Sequence, residues 1–287
     1  MSFDFNTGKQ LLEICKENNI PISEVMLQRE IENTGLTKQE IYEKLDVSLE
    51  IMNKSVHKAV ENVYPTNGGL ISGNAKKVRA FLDLNPFMSK IMSNAMAYAM
   101  SVLEVNASMG LIVAAPTAGA SGVLPGIIFA LKDEYNLPQE KLRRCLLNAG
   151  AIGYLFTRNA SVSGALAGCQ AEVGVASAMA ASVIACALDG TPEDSLNAAS
   201  FATQNLLGLI CDPIGGLVEF PCQSRNAIGV TNAFTAATLQ MSGVKQYIPF
   251  DEMVEAMLKV GKSLPETLKE TSLGGCATCP SACKLTK

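Results

Sequence analysis

Three cysteines stand in glycine-rich, nearly charge-free surroundings: Cys169 in Gly-Cys-Gln-Ala-Glu, Cys211 in Cys-Asp-Pro-Ile-Gly-Gly, and Cys222 in Phe-Pro-Cys-Gln. Taken singly, a free cysteine behaves as a small buried hydrophobe, and Cys15, Cys145 and Cys186 are read that way. Cys211 and Cys222 differ in lying beside Asp-Pro and Phe-Pro, where breaks in helix free backbone donors and turn thiols toward a cavity. Thiolate-rich sites favour zinc or iron–sulfur clusters. With one coordination position left open, such a centre acts as a Lewis acid and does chemistry as well as folding. The tail Cys276-Ala-Thr-Cys279-Pro-Ser-Ala-Cys283 also has ligand-like spacing, but it lacks the local fourth ligand of a structural Cys₄ site. It reads either as a terminal segment lending one thiolate to a cluster elsewhere or as an exposed, oxidation-prone tail.

Two polar segments accompany the thiols. Pro116-Thr-Ala-Gly-Ala-Ser-Gly122 sits between apolar runs, and a helix following it would aim unpaired N–H groups and its positive dipole end at the loop. That arrangement suits a small carboxylate, with Thr117, Gly119, Ala120 and Ser121 as candidate binding residues; the bland alternative is a glycine turn that lets helices pack closely. No Gly-Lys-Ser/Thr follows, which excludes a Walker loop, and the missing preceding strand argues against a dinucleotide fingerprint. Arg158-Asn-Ala-Ser-Val-Ser163 ends about two helical turns before Cys169, so Asn159, Ser161 and Ser163 are candidates for substrate binding or ordinary caps. His57 is the only histidine and reads as a surface residue. A histidine base is therefore not expected from this chain.

The elements that must position these groups belong to a chain of 287 residues, 48% hydrophobic and 17% charged, enough for one large core. A net charge of -4 without a basic run sets aside nucleic acid, which requires clustered Lys and Arg. The start Met-Ser-Phe-Asp-Phe-Asn has no secretory pattern, so a cytoplasmic protein is expected, its nine cysteines reduced or metal-bound. Residues 111–131 carry no charge and 159–188 only Glu172, so both pass a crude membrane test. Pro116, Pro125, Gly119 and Gly122 interrupt the first, and the second is built of Ala, Ser and Gly. Buried central helices, not membrane spans, are expected.

Apolar residues at Val25, Met26 and Ile31, then Ile41, Leu45 and Leu49, follow helical spacing. Thr37 with Glu40 has the form of a capping box, and Gly35 would end the preceding helix. Residues 65–73 read as a hinge, 86–103 as a Met- and Ala-rich helix with Pro86 in its first turn, and 251–262 as an amphipathic helix. Strand patterns are scarce. The expected fold is all-α, a buried central helix surrounded by others. The expected domain is a single catalytic one over 1–287: a helical cover (1–64), a helical core with the site (74–265) and a tail (266–287).

Ser23-Glu-Val-Met-Leu-Gln-Arg-Glu, Asn106-Ala-Ser-Met-Gly, Ala115-Pro-Thr-Ala-Gly-Ala-Ser-Gly, Arg158-Asn-Ala-Ser-Val-Ser-Gly-Ala, Gly168-Cys-Gln-Ala-Glu-Val-Gly and Cys211-Asp-Pro-Ile-Gly-Gly-Leu-Val resemble the catalytic alpha subunit of the iron–sulfur L-serine dehydratases. The chain is also similar to a smaller group of cysteine desulfidases. The resemblance implies a [4Fe-4S] cluster held by Cys169, Cys211 and Cys222, its fourth iron left for L-serine, with Cys283 near the place of a tail cysteine that caps that iron when substrate is absent. It further implies a beta subunit bearing a Ser-His-Thr/Ser-x-Gly-Pro motif, absent from this chain, which supplies the base. The expected reaction is L-serine to pyruvate and ammonia by α,β-elimination. Pyridoxal phosphate is not expected, because it needs a lysine and the stretches around the candidate pocket have none. The rival readings are a cysteine desulfidase of the same fold, a non-enzymatic metal or redox sensor built on the tail cysteines, and a small membrane transporter.

Overall fold

The computed structural model describes residues 2–84 and 87–285. Its chain begins with α1 (Gly8–Asn18), α2 (Ile22–Thr34) and α3 (Lys38–Glu61). Gly35 closes α2 at φ 70°, and α3 opens on the full reciprocal box, with the Thr37 N–H 2.8 Å from Glu40 Oε2 and the Glu40 N–H 3.3 Å from Thr37 Oγ1. Local sequence thus sets both ends of that junction. Val25, Met26, Ile41 and Leu49 are buried while Ile31 and Leu45 are only partly so, the one-sided burial expected of a cover.

α4 (Asn74–Leu84) and α5 (Lys90–Ala107) follow. Ser89 stands at the N-cap of α5, later than the start expected from sequence, and Pro86 lies outside the described residues. Next come α6 (Val123–Tyr135), α7 (Gln139–Asn159), the short α8 (Gly164–Ala167), α9 (Val175–Ala187), α10 (Pro192–Asn205), α11 (Cys222–Met241), α12 (Phe250–Ser263) and α13 (Ala282–Leu285). No β-strand occurs among the described residues, only an isolated bridge between Cys211 and Lys269.

Every residue of α9 is buried, with α6, α7, α10 and α11 packed around it. α5 is a second buried helix, between α3, α4, α6 and α11. Small side chains such as Ala178, Ala181 and Ala185 let neighbours approach α9 closely. Serines on α9 find partners in this core: the Ser177 hydroxyl donates to the Gly229 carbonyl at 2.8 Å, and Ser182 accepts from Asn148 Nδ2 at 3.0 Å. The 170–187 helix is long and apolar enough to cross a membrane, yet it is 94% buried inside the protein, as a core helix should be. The other apolar stretch divides into non-helical residues 111–117, a 3₁₀ turn and α6.

Candidate metal centre and substrate pocket

Cys169 sits at a break between helices. Gly168 ends α8 at φ 76°, and a Cβ there would lie 2.8 Å from the Leu209 carbonyl oxygen, so the position requires glycine. A π-helical turn, Gln170–Gly174, then leads into α9; such turns are frequent at functional sites. Gln170 ties this turn to its surroundings. Its backbone N–H reaches the Leu209 carbonyl at 2.9 Å, its amide donates to the Met257 carbonyl at 3.0 Å, and its side-chain oxygen accepts from the Gly208 N–H at 2.9 Å. The chain running into Cys211 is thereby fixed beside Cys169.

Cys211 is held by the tail. Its N–H donates to the Leu268 carbonyl at 2.9 Å and its carbonyl accepts from the Glu270 N–H at 2.7 Å, which form the isolated bridge. Cys222 is the first residue of α11. Its approach is anchored by the buried Glu219, which accepts from the Thr66 hydroxyl at 3.0 Å and from the N–H groups of Gly68 and Leu70 at 2.5 and 2.8 Å. The segment read as a hinge thus serves as a clamp on the third cysteine.

All three thiols are buried. Cys169, Cys211 and Glu172 bring ligand atoms within 4.8 Å of one another. Burial, together with the nearby Cys169 and Glu172, pushes the Cys222 thiol up to about 12. The Cys211 thiol is raised by its hydrogen bond to Cys169 and then by burial. Arg225, one turn along α11, donates to the Ile210 carbonyl at 2.9 Å and pairs with the buried Asp212 at 2.6 Å. Burial works against its charge, but Cys169 and Asp212 hold its pKa above the usual value. Asp212 in turn accepts from the Cys276 N–H at 2.6 Å. Soft sulfur donors from three separate segments, with a guanidinium to offset their negative charge, fit a thiolate-bound metal group.

The raised Cys211 and Cys222 thiols are protonated near neutrality in the metal-free protein, so metal must displace their protons. Metal loading is expected to tighten as pH rises from about 7 to 8.5 and to release protons into a weakly buffered solution. Loading that is independent of pH, with no proton release, would show that these thiols are not the ligands.

The residues read as substrate-binding fall into three groups. Thr117 donates its hydroxyl to Glu172 Oε1 at 2.7 Å, and Gly119 lies against the same carboxylate. Ala120 and Ser121 are buried, and the Ser121 hydroxyl donates to the Ala118 carbonyl at 2.7 Å. Asn226 clasps this loop, donating to the Gly119 carbonyl at 2.8 Å and accepting from the Gly122 N–H at 3.1 Å. The N–H groups of Ala118 and Gly119 have no acceptor among the described residues. Ser161 accepts from the Ser163 N–H at 3.1 Å, shaping the turn that delivers Gly164 to the pocket. A Cβ at Gly164 would come 3.0 Å from Cys211 Sγ and 2.6 Å from Glu172 Oε2. Asn159 stands apart: exposed at the end of α7, it donates to the carbonyls of Leu155 and Asn6 at 3.0 and 2.8 Å.

In the tail, Cys283 is exposed with Sγ 3.8 Å from the Ala277 carbonyl oxygen; Cys276 is the tail cysteine tied to the site, through Asp212. His57 is half-buried, its ring edge-on to Tyr98 at 4.9 Å, not free on the surface. Reasoning from sequence missed Gln170, Glu172, Asp212, Glu219, Arg225 and Asn226. The one available signal was Glu172, the sole charge between 159 and 188.

The class this defines is an all-α protein with two buried thiols, Cys169 and Cys211, set beside a carboxylate and a glycine-rich loop as a group that could hold a metal ion. Residues 17–277 match the family described as serine dehydratase alpha chain, and the chain belongs to that family. It is 44% identical over 284 residues to the probable L-serine dehydratase alpha chain of Bacillus subtilis, covering 99% of this chain and 94% of that one. It is likewise 44% identical over 273 residues to the L-serine dehydratase alpha chain of Peptoniphilus asaccharolyticus, with 95% and 94% covered. The longer L-serine dehydratase TdcG of Escherichia coli is 36% identical over 287 residues, 96% of this chain and 62% of its own length.

Proposed function

We propose that this chain is the metal-bearing alpha subunit of an L-serine ammonia-lyase, forming pyruvate and ammonia from L-serine. The observation that carries the reading is the meeting of the buried Cys169 and Cys211 beside Glu172 and a glycine wall, with Cys222 buried within their electrostatic reach, in a chain 44% identical to L-serine dehydratase alpha chains. Cys169, Cys211 and Cys222 would hold a [4Fe-4S] cluster. Such a cluster, when bound, supplies Lewis-acid activation of the serine hydroxyl as a leaving group. Pyridoxal phosphate has no part in this reading.

The chain's own residues do the holding. The free N–H groups of Ala118 and Gly119 face the substrate carboxylate, in a loop kept in shape by Thr117, Ser121 and Asn226. Ser161 and Ser163 shape the opposite wall, while Asn159 secures the end of α7. Elimination breaks the Cα–H and Cβ–O bonds and forms a C=C bond; the resulting aminoacrylate tautomerises and is hydrolysed by water to pyruvate and ammonia. His57, on α3, is packed against Tyr98 of α5, so the base that takes the Cα proton is assigned to a beta subunit. The coverage of relatives supports that partner: chains named alpha are matched over 94% of their length, whereas the longer E. coli protein is matched over 62%. The tail, Cys283 included, is the reserve from which a displaceable ligand would come. One domain over 1–287 in a cytoplasmic, reducing setting accords with unpaired thiols.

Anaerobic reconstitution with iron and sulfide, then assay with the beta subunit, tests the reading. Pyruvate is expected from L-serine only when both chains are present. Sulfide released from L-cysteine in preference to pyruvate from L-serine would assign the site to a desulfidase instead, and absence of both products would sink the enzymatic reading.

A further inference from the structure

Glu172 is an anomaly in the pocket. Its carboxylate is largely enclosed, with Gly119 and Gly164 as walls: a Cβ on either would lie 3.2 Å from Oε1 or 2.6 Å from Oε2. Among the described residues two side chains bond to it, the Thr117 hydroxyl at 2.7 Å and the Cys211 thiol at 3.9 Å. A carboxylate has about four lone-pair positions, and no Lys or Arg among the described residues forms an ion pair with this one. Arg225, the nearby cation, is occupied by Asp212 and the Ile210 carbonyl. Burial, and after it the Glu270 carboxylate, raise the Glu172 carboxyl above its ordinary value against the hydrogen bonds from Thr117 and Cys211. The glycine walls leave room beside its open lone pairs, and a cation set there would hold the carboxylate in its charged form, which an enclosed site without a countercharge otherwise disfavours.

We propose that Glu172 is the anchor for the substrate ammonium group, the one cationic group of L-serine. The inference rests on the proposed function and adds to it the residue that selects an α-amino acid over a hydroxy acid. With the substrate carboxylate at the Ala118 and Gly119 N–H groups and the hydroxyl toward the thiols, Glu172 stands between them, next to Thr117 on one side and Cys211 on the other. The ammonium donates to the free lone pairs of Oε1 and Oε2. Three contacts of different chemistry then fix the face from which the Cα proton leaves.

The test uses the iron-loaded chain with its beta subunit, comparing the parent with Glu172→Gln. Two ligands each lack one substrate group: L-alanine keeps the ammonium without the hydroxyl, and 3-hydroxypropanoate keeps the hydroxyl without the ammonium. Calorimetric binding of L-alanine is expected to weaken about 30-fold or more in Glu172→Gln, the loss typical of one partner of a buried charge pair. The KM for L-serine should rise in parallel. Binding of 3-hydroxypropanoate and iron content should stay at the parent level, and Glu172→Asp should recover part of the L-alanine affinity. Equal loss of both ligands, unchanged L-alanine binding, or loss of iron would each overturn the proposal. Failure of the underlying reading shows itself separately, as absence of pyruvate from the parent complex.

Discussion

Cys211→Ala is expected to yield a folded protein that binds no iron and forms no pyruvate, and Cys169→Ala and Cys222→Ala should do the same. The parent should take up about four irons per chain, as a [4Fe-4S] cluster requires. The three sulfurs come from the end of α8, an extended segment and the start of α11, and the other buried thiols, Cys145 and Cys186, are fixed on α7 and α9 and do not take the place of one that is removed. Tail substitutions are the control. Cys279→Ala and Cys283→Ala remove exposed thiols that meet only the Gly275 and Ala277 carbonyls, and should leave iron content unchanged. The decisive measurement is iron and sulfide per chain after anaerobic reconstitution. Retention of iron by Cys169→Ala, with loss in the tail variants, would move the metal to the tail and revive the sensor reading.

Arg225→Ala is expected to destabilise the metal-free protein by about 3–5 kcal/mol, the usual cost of leaving one member of a buried ion pair unpaired. Arg225 and Asp212 side chains are 13% and 1% exposed, so little solvent is available to replace the lost charge. For a chain of this size the loss corresponds to a Tm about 5–8 °C lower. Arg225→Lys keeps the charge without the guanidinium Nη1 that meets Ile210 and Asp212 together, and should fall between parent and Ala. The double variant Arg225→Ala with Asp212→Asn should be more stable than Arg225→Ala alone, because the orphaned carboxylate is gone. A Tm for Arg225→Ala within a degree or two of the parent would show that the pair is not holding the three cysteine segments together.

Local chemistry made much of the cover and the core legible. Gly35, Thr37 and Glu40 act within a few residues of one another, so their cap could be read directly, and the charge-free stretches announced buried helices. The motifs around Cys169 and Cys211 singled out two thiols that the fold brings beside Glu172. What escaped were interactions between residues far apart along the chain: Glu219 with the 66–70 segment, Asn226 with the 119–122 loop, and Arg225 with Asp212 and, through it, Cys276. No period or spacing encodes such pairs. The π turn escaped for another reason, since Gln170-Ala-Glu-Val-Gly is equally good α-helix by composition. His57 looked like a surface residue because its own helix is amphipathic; the contact that half-buries it comes from Tyr98 on α5.

That π turn lets the approach to α9 carry one residue more than an ordinary helix of the same length. A π turn closes i→i+5 where an α turn closes i→i+4, so the additional residue at Gln170–Gly174 is absorbed locally and the chain on either side keeps its phase. Deleting one residue there would let the segment close as ordinary α-helix, with α9 packed as before and Cys169 in nearly the same orientation, while Glu172 moves relative to the wall of the pocket. The bulge is thus a place where the pocket can be reshaped without disturbing the scaffold that carries it.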